Sequence, residues 1–433
     1  MGACEEVKVV ESCMVKPSEE MPRKSLWLSP IDLMLVKNGH TPTVYLYRSE
    51  SGGAVDDFFD VARMKVAMAK ALVAFYPLAG RLGTDSDGRP EIDCASQGVL
   101  FVVAHSDLAV DDISKFQPSV ELKRLFVPPV EDSPSVVCGV QVTFLRCGGV
   151  ALGTALHHVV IDAMSAFHFF QTWSALCRDG DGAAAVLELP CHDRTLLRPR
   201  SPPVVHPKTF SLFYPNQIVP EPLGTIINDI FVVSKDQLAH LKRACGSRDG
   251  WRVSTFCAVS ALVWRCMCAA RQLPPDATTR LVFPANIRRS VRPPLPDRYF
   301  GNGTVMVGAT GKVQDIVASE DGQSLASVAG RIRGTIRQID DELVRSVVDH
   351  LQINGSLPAR SMSRTDVRVT SWLGMPAYDA DFGWGKPVVM HRAVQQRDGL
   401  VYLMDGDGGS VRILAAMEAS ILKDFQRLLY ANL

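Results

Sequence analysis

The chain has 433 residues, more than one hydrophobic core usually serves, so two domains are expected. Lys+Arg and Asp+Glu are 46 each, a formal charge of zero, which argues against a nucleic-acid binder with its basic face. The 11 cysteines are scattered and odd in number, and Cys266-x-Cys268 lacks the spacing and companions of a zinc site, so free thiols in a reducing compartment and no bound metal are expected.

Met1 to Glu20 alternates charged and apolar residues with no continuous apolar core, so no signal peptide is read there. No run approaches the roughly 20 apolar residues of a membrane span. The expected compartment is the cytosol, with no membrane partner. Met1-Gly2-Ala3-Cys4 begins like a myristoylation signal, but Glu6 stands where Ser or Thr is wanted. Asn302-Gly303-Thr304 and Asn354-Gly355-Ser356 fit the glycosylation sequon, which a cytosolic chain would not use.

In chain order, Glu6 to Val15 alternates like an exposed strand, and His40 to Tyr47 reads as another. Asp56 to Phe75 reads as a helix, with Phe59, Ala62, Val66, Ala69 and Val73 on one face, ended by Pro77 and Gly80. Arg89–Cys94 and Val99–Val103 read as a hairpin. Val136–Arg146 and Gly149–Leu156 read as a second, closed at Cys147-Gly148-Gly149. Ala163 to Cys177 reads as a helix, with Phe167, Phe170 and Trp173 three apart. From Pro190 to Pro222 prolines recur and periodicity is lost, which marks a long connection between residues 1–189 and 223–433. Structure resumes with a strand at Ile226–Val233 and a helix from Ser234 to Cys245. A second Ser-capped helix runs from Ser254 to Arg271, followed by a strand at Val282–Ile287. Gly322 to Gln352 carries one long helical pattern, and Val369–Trp372 reads as a strand. A turn-rich segment then reaches Pro387. Leu400–Met404 and Ser410–Ala415 make a hairpin, and Glu418 to Tyr430 closes the chain as a helix. Both halves mix strands and helices in similar amounts, an α/β pattern that suggests two related domains.

Chemistry concentrates where a strand gives way to a helix, at Leu156-His157-His158-Val159-Val160-Ile161-Asp162. An imidazole suits proton transfer near neutral pH. A core histidine bonded to backbone is the bland alternative. Asp162 could orient the ring from the same helix face or could cap the helix at Ala163, and the spacing does not decide. No third ligand for a metal is near, and no Gly-x-Ser-x-Gly elbow occurs. A lone base without a nucleophile points to direct attack of a bound acceptor on an activated substrate. A second stretch, Tyr378-Asp379-Ala380-Asp381-Phe382-Gly383-Trp384-Gly385-Lys386-Pro387, reads by itself as a tight turn with a packed aromatic.

Together, His158-Val-Val-Ile-Asp162 and Asp381-Phe-Gly-Trp-Gly385 resemble the two signatures of the plant BAHD acyltransferases. Tyr76 to Leu82 and Tyr299-Phe300-Gly301-Asn302 agree, and the resemblance covers essentially the whole chain. Trp27 to Asp32, His40 to Tyr45 and Val369 to Trp372 look most like the hydroxycinnamoyl-CoA transferases. The resemblance implies two chloramphenicol-acetyltransferase-like α/β domains with mixed sheets, joined by a crossover over 190–222, with a segment near 365–390 packing on the first sheet and an active-site tunnel between the domains. It implies a monomer using acyl-CoA as co-substrate, with no permanent cofactor, and His158 as general base in a ternary complex. Thr370 and Trp372 become candidates for the oxyanion. Asp162, paired with Arg288, and Asp381, Gly383, Trp384 and Gly385 become scaffold. Thr41, Thr43 and Tyr45 are expected on the acceptor side. For the CoA phosphates Lys242, Arg243, Ser254 and Thr255 are physically suitable.

One departure bears on the acceptor. Family members that use shikimate or quinate carry an Arg in Thr-Ser-Trp-x-Arg-x-Pro that clamps a carboxylate, and this chain has Gly374 there. Losing a bidentate guanidinium disfavours a carboxylate acceptor. An amine such as spermidine, putrescine, tryptamine or tyramine becomes the first expectation, with Asp379 or Asp32 as acids that could hold a second cation. O-acylation of shikimate, quinate or a neutral alcohol is the alternative, with an Arg such as Arg392 supplied from elsewhere.

Overall fold

The computed structural model describes residues 7–21, 23–49, 59–114, 117–184, 188–213, 224–246, 252–317, 324–354, 364–395 and 397–433. Backbone contacts divide the chain into two units. The first holds Met1–Arg198, Pro296–Gly303 and Met375–Val394; the second holds Pro199–Leu295, Thr304–Gly374 and Gln395–Leu433.

Among the described residues, the first unit has a six-stranded sheet in the order Val7–Val15, Val99–Ser106, Cys138–Leu145, Val150–His157, His40–Tyr47, Val389–Arg392. Val99–Ser106 and Cys138–Leu145 are parallel, and the other neighbours antiparallel. Val7–Val15 is one of the two edge strands and largely exposed, as its charged alternation anticipates. Val150–His157 lies inside the sheet and is buried at every residue. A Cβ on Gly153 would stand 1.6 Å from the Phe126 carbonyl oxygen, so only glycine lets the end of the Val120–Phe126 helix lie against this strand.

Two expectations for this unit are corrected. The helix read from Asp56 spans Val61–Ala74 and is capped by Asp60, whose carboxylate accepts from Ala62 and Arg63 N–H. Phe59 has φ 58° and is not helical, and Asp56-Asp57 lie outside the described residues. Its buried face is Met64, Ala67, Met68, Ala71 and Leu72, whereas Val66 is 58% exposed. Two stripes of similar spacing competed, and the one with the larger side chains is buried, where each methionine or leucine contributes about 1.5–3 kcal/mol. The expected hairpin of Arg89–Cys94 with Val99–Val103 does not form. Pro90–Asp93 instead joins Arg81–Thr84 and Ser25–Trp27 in a three-stranded sheet, while Val99–Ser106 enters the large one. Alternation reports which face a strand buries, not which strand it pairs with.

The second unit has its own six-stranded sheet among the described residues, ordered Thr304–Lys312, Thr278–Asn286, Val367–Ser371, Leu400–Asp405, Val411–Glu418, Ile226–Val233. The Leu400–Asp405 and Val411–Glu418 pair is the expected hairpin. Thr304–Lys312 escapes sequence reading because glycines at 308 and 311 break its apolar run. The buried Thr255–Ala270 helix is tied to the sheet by a 2.9 Å hydrogen bond from Trp264 Nε1 to Thr279 Oγ1. The long helix read over Gly322–Gln352 is two, Ser324–Arg337 and Asp341–Asn354, because the Asp340 carboxylate accepts from Leu343 N–H at 2.8 Å and starts a new helix.

The proline-rich connection is pinned on either side of the division at Arg198, and its residues 214–222 lie outside the described residues. Before the division, Arg194 is buried in the first unit. After it, Asp349 of the second unit accepts from Arg200 N–H at 2.7 Å, Arg200 Nε at 2.6 Å and Val204 N–H at 2.9 Å.

Candidate functional site

The two histidines that end the Val150–His157 strand have different surroundings. His157 is buried in the ladder opposite His40, with the rings edge to face at 4.9 Å. Its Nδ1 accepts from Val159 N–H at 3.2 Å, and burial pushes its pKa down to about 4. His157 is thus the core histidine of the bland reading. His158 leaves the ladder half-buried, its N–H donating to the Gly39 carbonyl at 2.9 Å.

Asp162 caps the Ala163–Asp179 helix. One carboxylate oxygen accepts from Ser165 N–H and the other from Gly303 N–H, each at 3.0 Å. Of the two readings left open by spacing, capping is realised, and Asp162 also ties Pro296–Gly303 to this unit. Arg288, expected as its partner, belongs to the second unit, where it is buried and its N–H donates to Asn286 Oδ1. Asp32, offered as a holder of an acceptor cation, cannot serve. It is fully buried in the capping box of the Pro30–Leu33 helix and ion-paired with Arg194 at 3.1 Å. Asn302 is also fully buried, so its sequon cannot carry a glycan; the Asn354 sequon runs into residues outside the described ones.

The Asp381–Gly385 stretch is the turn its glycines predict. Asp381 Oδ1 accepts from the N–H of Gly383 at 2.9 Å and of Gly385 at 3.1 Å. Phe382 is fully buried 4.7 Å from the Trp173 ring, and Trp384 stacks on Phe59 at 5.0 Å. The Tyr47 hydroxyl donates to the Ala380 carbonyl at 2.8 Å. Asp379 lies beside it, paired with Lys386 at 2.7 Å. Of the expected acceptor residues, Thr41, Thr43 and Tyr45 alternate along the strand next to Val150–His157. The Thr43 hydroxyl is shared with Thr154, and Tyr45 is buried against Phe170 with its pKa raised by burial. Arg392 sits opposite Thr43 in the ladder of the neighbouring strand.

The remaining candidates belong to the second unit. Thr370 lies in the ladder opposite Tyr402, and the Trp372 ring meets the Tyr402 ring edge to face at 5.1 Å. Gly374 follows with φ +70°, a left-handed conformation that side chains rarely adopt, and a Cβ there would meet nothing within 4 Å. Its N–H donates to Asp405 Oδ2 at 2.7 Å. The turn that carries an Arg in carboxylate-using family members is therefore held here by an exposed carboxylate. Close by, a cavity of about 240 Å³ is lined by Phe256, Phe283, Asn286, Ser290, Ile336 and Ser371 among others. Ser254 caps the Thr255–Ala270 helix with its hydroxyl, and Phe256, one residue past Thr255, reaches the cavity wall. Lys242 and Arg243 stand on the Lys235–Ala244 helix and do not line it. Sequence reading missed Arg194, Asp405 and this cavity. Arg194 lies in a segment without periodicity, Asp405 in an ordinary hairpin turn, and the cavity depends on elements far apart in the chain. Asn302 stands out in the sequence only in a glycosylation sequon and in the Tyr299-Phe300-Gly301-Asn302 stretch, neither of which shows its buried role.

A family model described as the Transferase family matches residues 5–431. Putrescine hydroxycinnamoyltransferase 1 of Oryza sativa subsp. japonica is 43% identical, over 99% of this chain and 99% of the relative. Shikimate O-hydroxycinnamoyltransferase of Nicotiana tabacum is 36% identical, over 98% of this chain and 99% of the relative. Among solved structures, vinorine synthase aligns with a TM-score of 0.78 at 23% identity, covering 99% of this chain and 98% of its own. That likeness carries the fold: mixed α/β with two sheet-rich domains, consistent with a chloramphenicol-acetyltransferase-like pair.

Proposed function

This chain belongs to the BAHD transferase family and is an acyl-CoA-dependent acyltransferase, and on that premise we propose that it moves a hydroxycinnamoyl group from its CoA thioester to an amine, with a small diamine such as putrescine as the first candidate. The observation that carries the amine reading is the turn at Gly374, where a carboxylate, Asp405, binds the backbone and the sequence places glycine rather than arginine. A cationic acceptor is attracted by such a site and a carboxylate acceptor repelled. Resemblance to the rice putrescine enzyme supports the same reading.

In this mechanism His158 is the general base. An amine with pKa near 10 arrives mostly protonated and must first lose that proton. His158 then takes the proton released as the nitrogen attacks the thioester carbonyl, and the tetrahedral intermediate collapses by breaking the C–S bond, with the proton on His158 passing to the departing sulfur so that CoA leaves as its thiol. Such base catalysis is worth roughly 10²–10⁴-fold. Thr370 and the Trp372 indole N–H are the candidate donors to the oxyanion. Asp162 and the Asp381–Gly385 turn are frame, consistent with their carboxylates being occupied by backbone N–H groups. The cavity beside Ser371 is the candidate for part of the acyl-CoA, with the start of the Thr255–Ala270 helix suited to a phosphate. Asp405 is the candidate for the second ammonium of a diamine.

The second reading, O-acylation of shikimate or another alcohol, is favoured only by resemblance to the tobacco enzyme. The protein incubated with coumaroyl-CoA and, separately, putrescine, spermidine, tryptamine and shikimate separates the two. Turnover with at least one amine and little with shikimate is expected; fast turnover with shikimate and none with any amine overturns the proposal.

A further inference from the structure

We propose that Asn302, Asp32 and Arg194 form a buried positioning device that fixes the backbone beneath His158, an inference that rests on His158 being the base. The three come from distant parts of the first unit and are all at most 2% exposed. Their bonds converge on three consecutive carbonyls. Asn302 Nδ2 donates to the carbonyl of His158 at 2.9 Å and stands 3.4 Å from that of Val159. Arg194 Nη2 donates to the carbonyl of Val160 at 2.6 Å, with Nη1 3.4 Å from that of Val159. Asp32 binds the two donors together. Its Oδ1 accepts from Asn302 Nδ2 at 2.8 Å and Asn302 N–H at 3.1 Å, and its Oδ2 lies 3.1 Å from Arg194. Asp32 is in turn fixed by the Ser29 N–H at 2.9 Å and the Ser29 hydroxyl at 2.7 Å.

The amide of Asn302 has one possible orientation, since reversing it would set its oxygen against three acceptors. Its Oδ1, turned away, has no hydrogen-bond partner among the described residues. A buried acceptor is thus left unsatisfied so that the NH₂ group faces the His158 turn. A buried ion pair is also weak evidence for stability, because apolar residues of similar volume often serve as well. What the arrangement does supply is a fixed geometry. With the carbonyls of 158, 159 and 160 each held, and the His158 N–H bound to Gly39, the Cα–Cβ direction of His158 is set before substrate binds. A displacement of about 1 Å at a reacting group can cost on the order of 100-fold in rate.

The test is a double-mutant cycle on kcat, with KM for acyl-CoA and amine measured in parallel, below each variant's melting temperature. Asn302→Leu keeps the volume and removes the donors; Asn302→Asp keeps the shape and turns donors into acceptors. The control is Gln141→Leu, a buried amide of the same unit that serves the Leu125 carbonyl and Thr143. The expected result is a fall in kcat of roughly 100-fold for Asn302→Leu and more for Asn302→Asp, with both KM values changed by less than about threefold. Gln141→Leu lowers the melting temperature and leaves kcat within about twofold. In a His158→Ala background Asn302→Leu should lower the residual rate no further, because it acts through His158. If Asn302→Leu lowers stability but not kcat, or lowers the rate as much without His158 as with it, the positioning role is wrong while the base reading stands. If His158→Ala alone retains full activity, the base reading is what has failed. Should Asn302→Leu not fold, Asn302→Ser is read in the same cycle against the same outcomes.

Discussion

The two strand ends, one in each unit, to which we propose to assign the chemistry are built in opposite ways. In the first unit the chain leaves the Val150–His157 strand into a turn whose backbone is bound by Gly39, Asn302 and Arg194, and whose Asp162 is held by two N–H groups. In the second unit the chain leaves the Val367–Ser371 strand into a turn held by one carboxylate, at a glycine whose missing side chain would meet nothing. Buried, cross-braced polar groups fix a geometry; an open turn tolerates replacement. On the proposed function, the first end supplies the base and the second bears on the choice of acceptor.

The largest effect is expected from His158→Ala, which should lower kcat by about 10²–10⁴-fold with intact folding, measured by steady-state rates and thermal melting. Retained activity would move the chemistry away from the first strand end. Arg194→Met, which strands Asp32 as an unpaired buried carboxylate, should destabilise by about 3–5 kcal/mol in chemical denaturation. A change below about 1 kcal/mol would mean that the turn is not braced as described.

Changes at the second strand end should be milder and selective. Asp405→Asn keeps an acceptor for the Gly374 N–H and removes the charge; KM for putrescine should rise roughly tenfold or more while KM for acyl-CoA stays constant. Gly374→Arg accepts about 1–2 kcal/mol of backbone strain and should shift the ratio of kcat/KM toward carboxylate acceptors. Equal losses for both substrates in either variant would remove the turn from acceptor choice.

The effect of pH is on stability and leaves the comparison of acceptors untouched. His157 and His192 are held neutral by burial, each with a pKa lowered to about 4 from an ordinary 6.5. The unfolded chain therefore binds more protons between these values, and stability, fully present above about pH 6.5, falls as pH drops toward 4. The melting temperature should decline by several °C over that window, since a pKa moved from 6.5 to about 4 is worth on the order of 3 kcal/mol per histidine at full titration. His157→Gln should flatten the decline. A melting temperature independent of pH there would show that these rings are not buried neutral.

Sequence made the elements of both strand ends legible and the bracing of neither. The Val150–His157 strand and its following helix are visible because apolar runs and three-residue spacing report local structure directly. The Gly374 departure is visible because it breaks a shared pattern. Asp32, Arg194 and Asn302 lie 270 residues apart at their extremes, and nothing in local periodicity links a capping acid, a loop arginine and an asparagine after a glycine. Asp32 stands in the sequence as one of several acids that could hold an acceptor cation, since an acid in sequence carries no mark of whether it will be sealed inside. The helix at Val61–Ala74 failed differently: its sequence supports two stripes, and tertiary packing chose between them.

The most direct test of the division between the two strand ends is a competition. Wild-type protein and Asp405→Asn receive coumaroyl-CoA with equimolar putrescine and shikimate, and both products are quantified. Coumaroyl-putrescine should dominate for the wild type, with its share reduced in Asp405→Asn. Coumaroyl-shikimate as the main product of the wild type would contradict the assignment of the open turn to an amine acceptor.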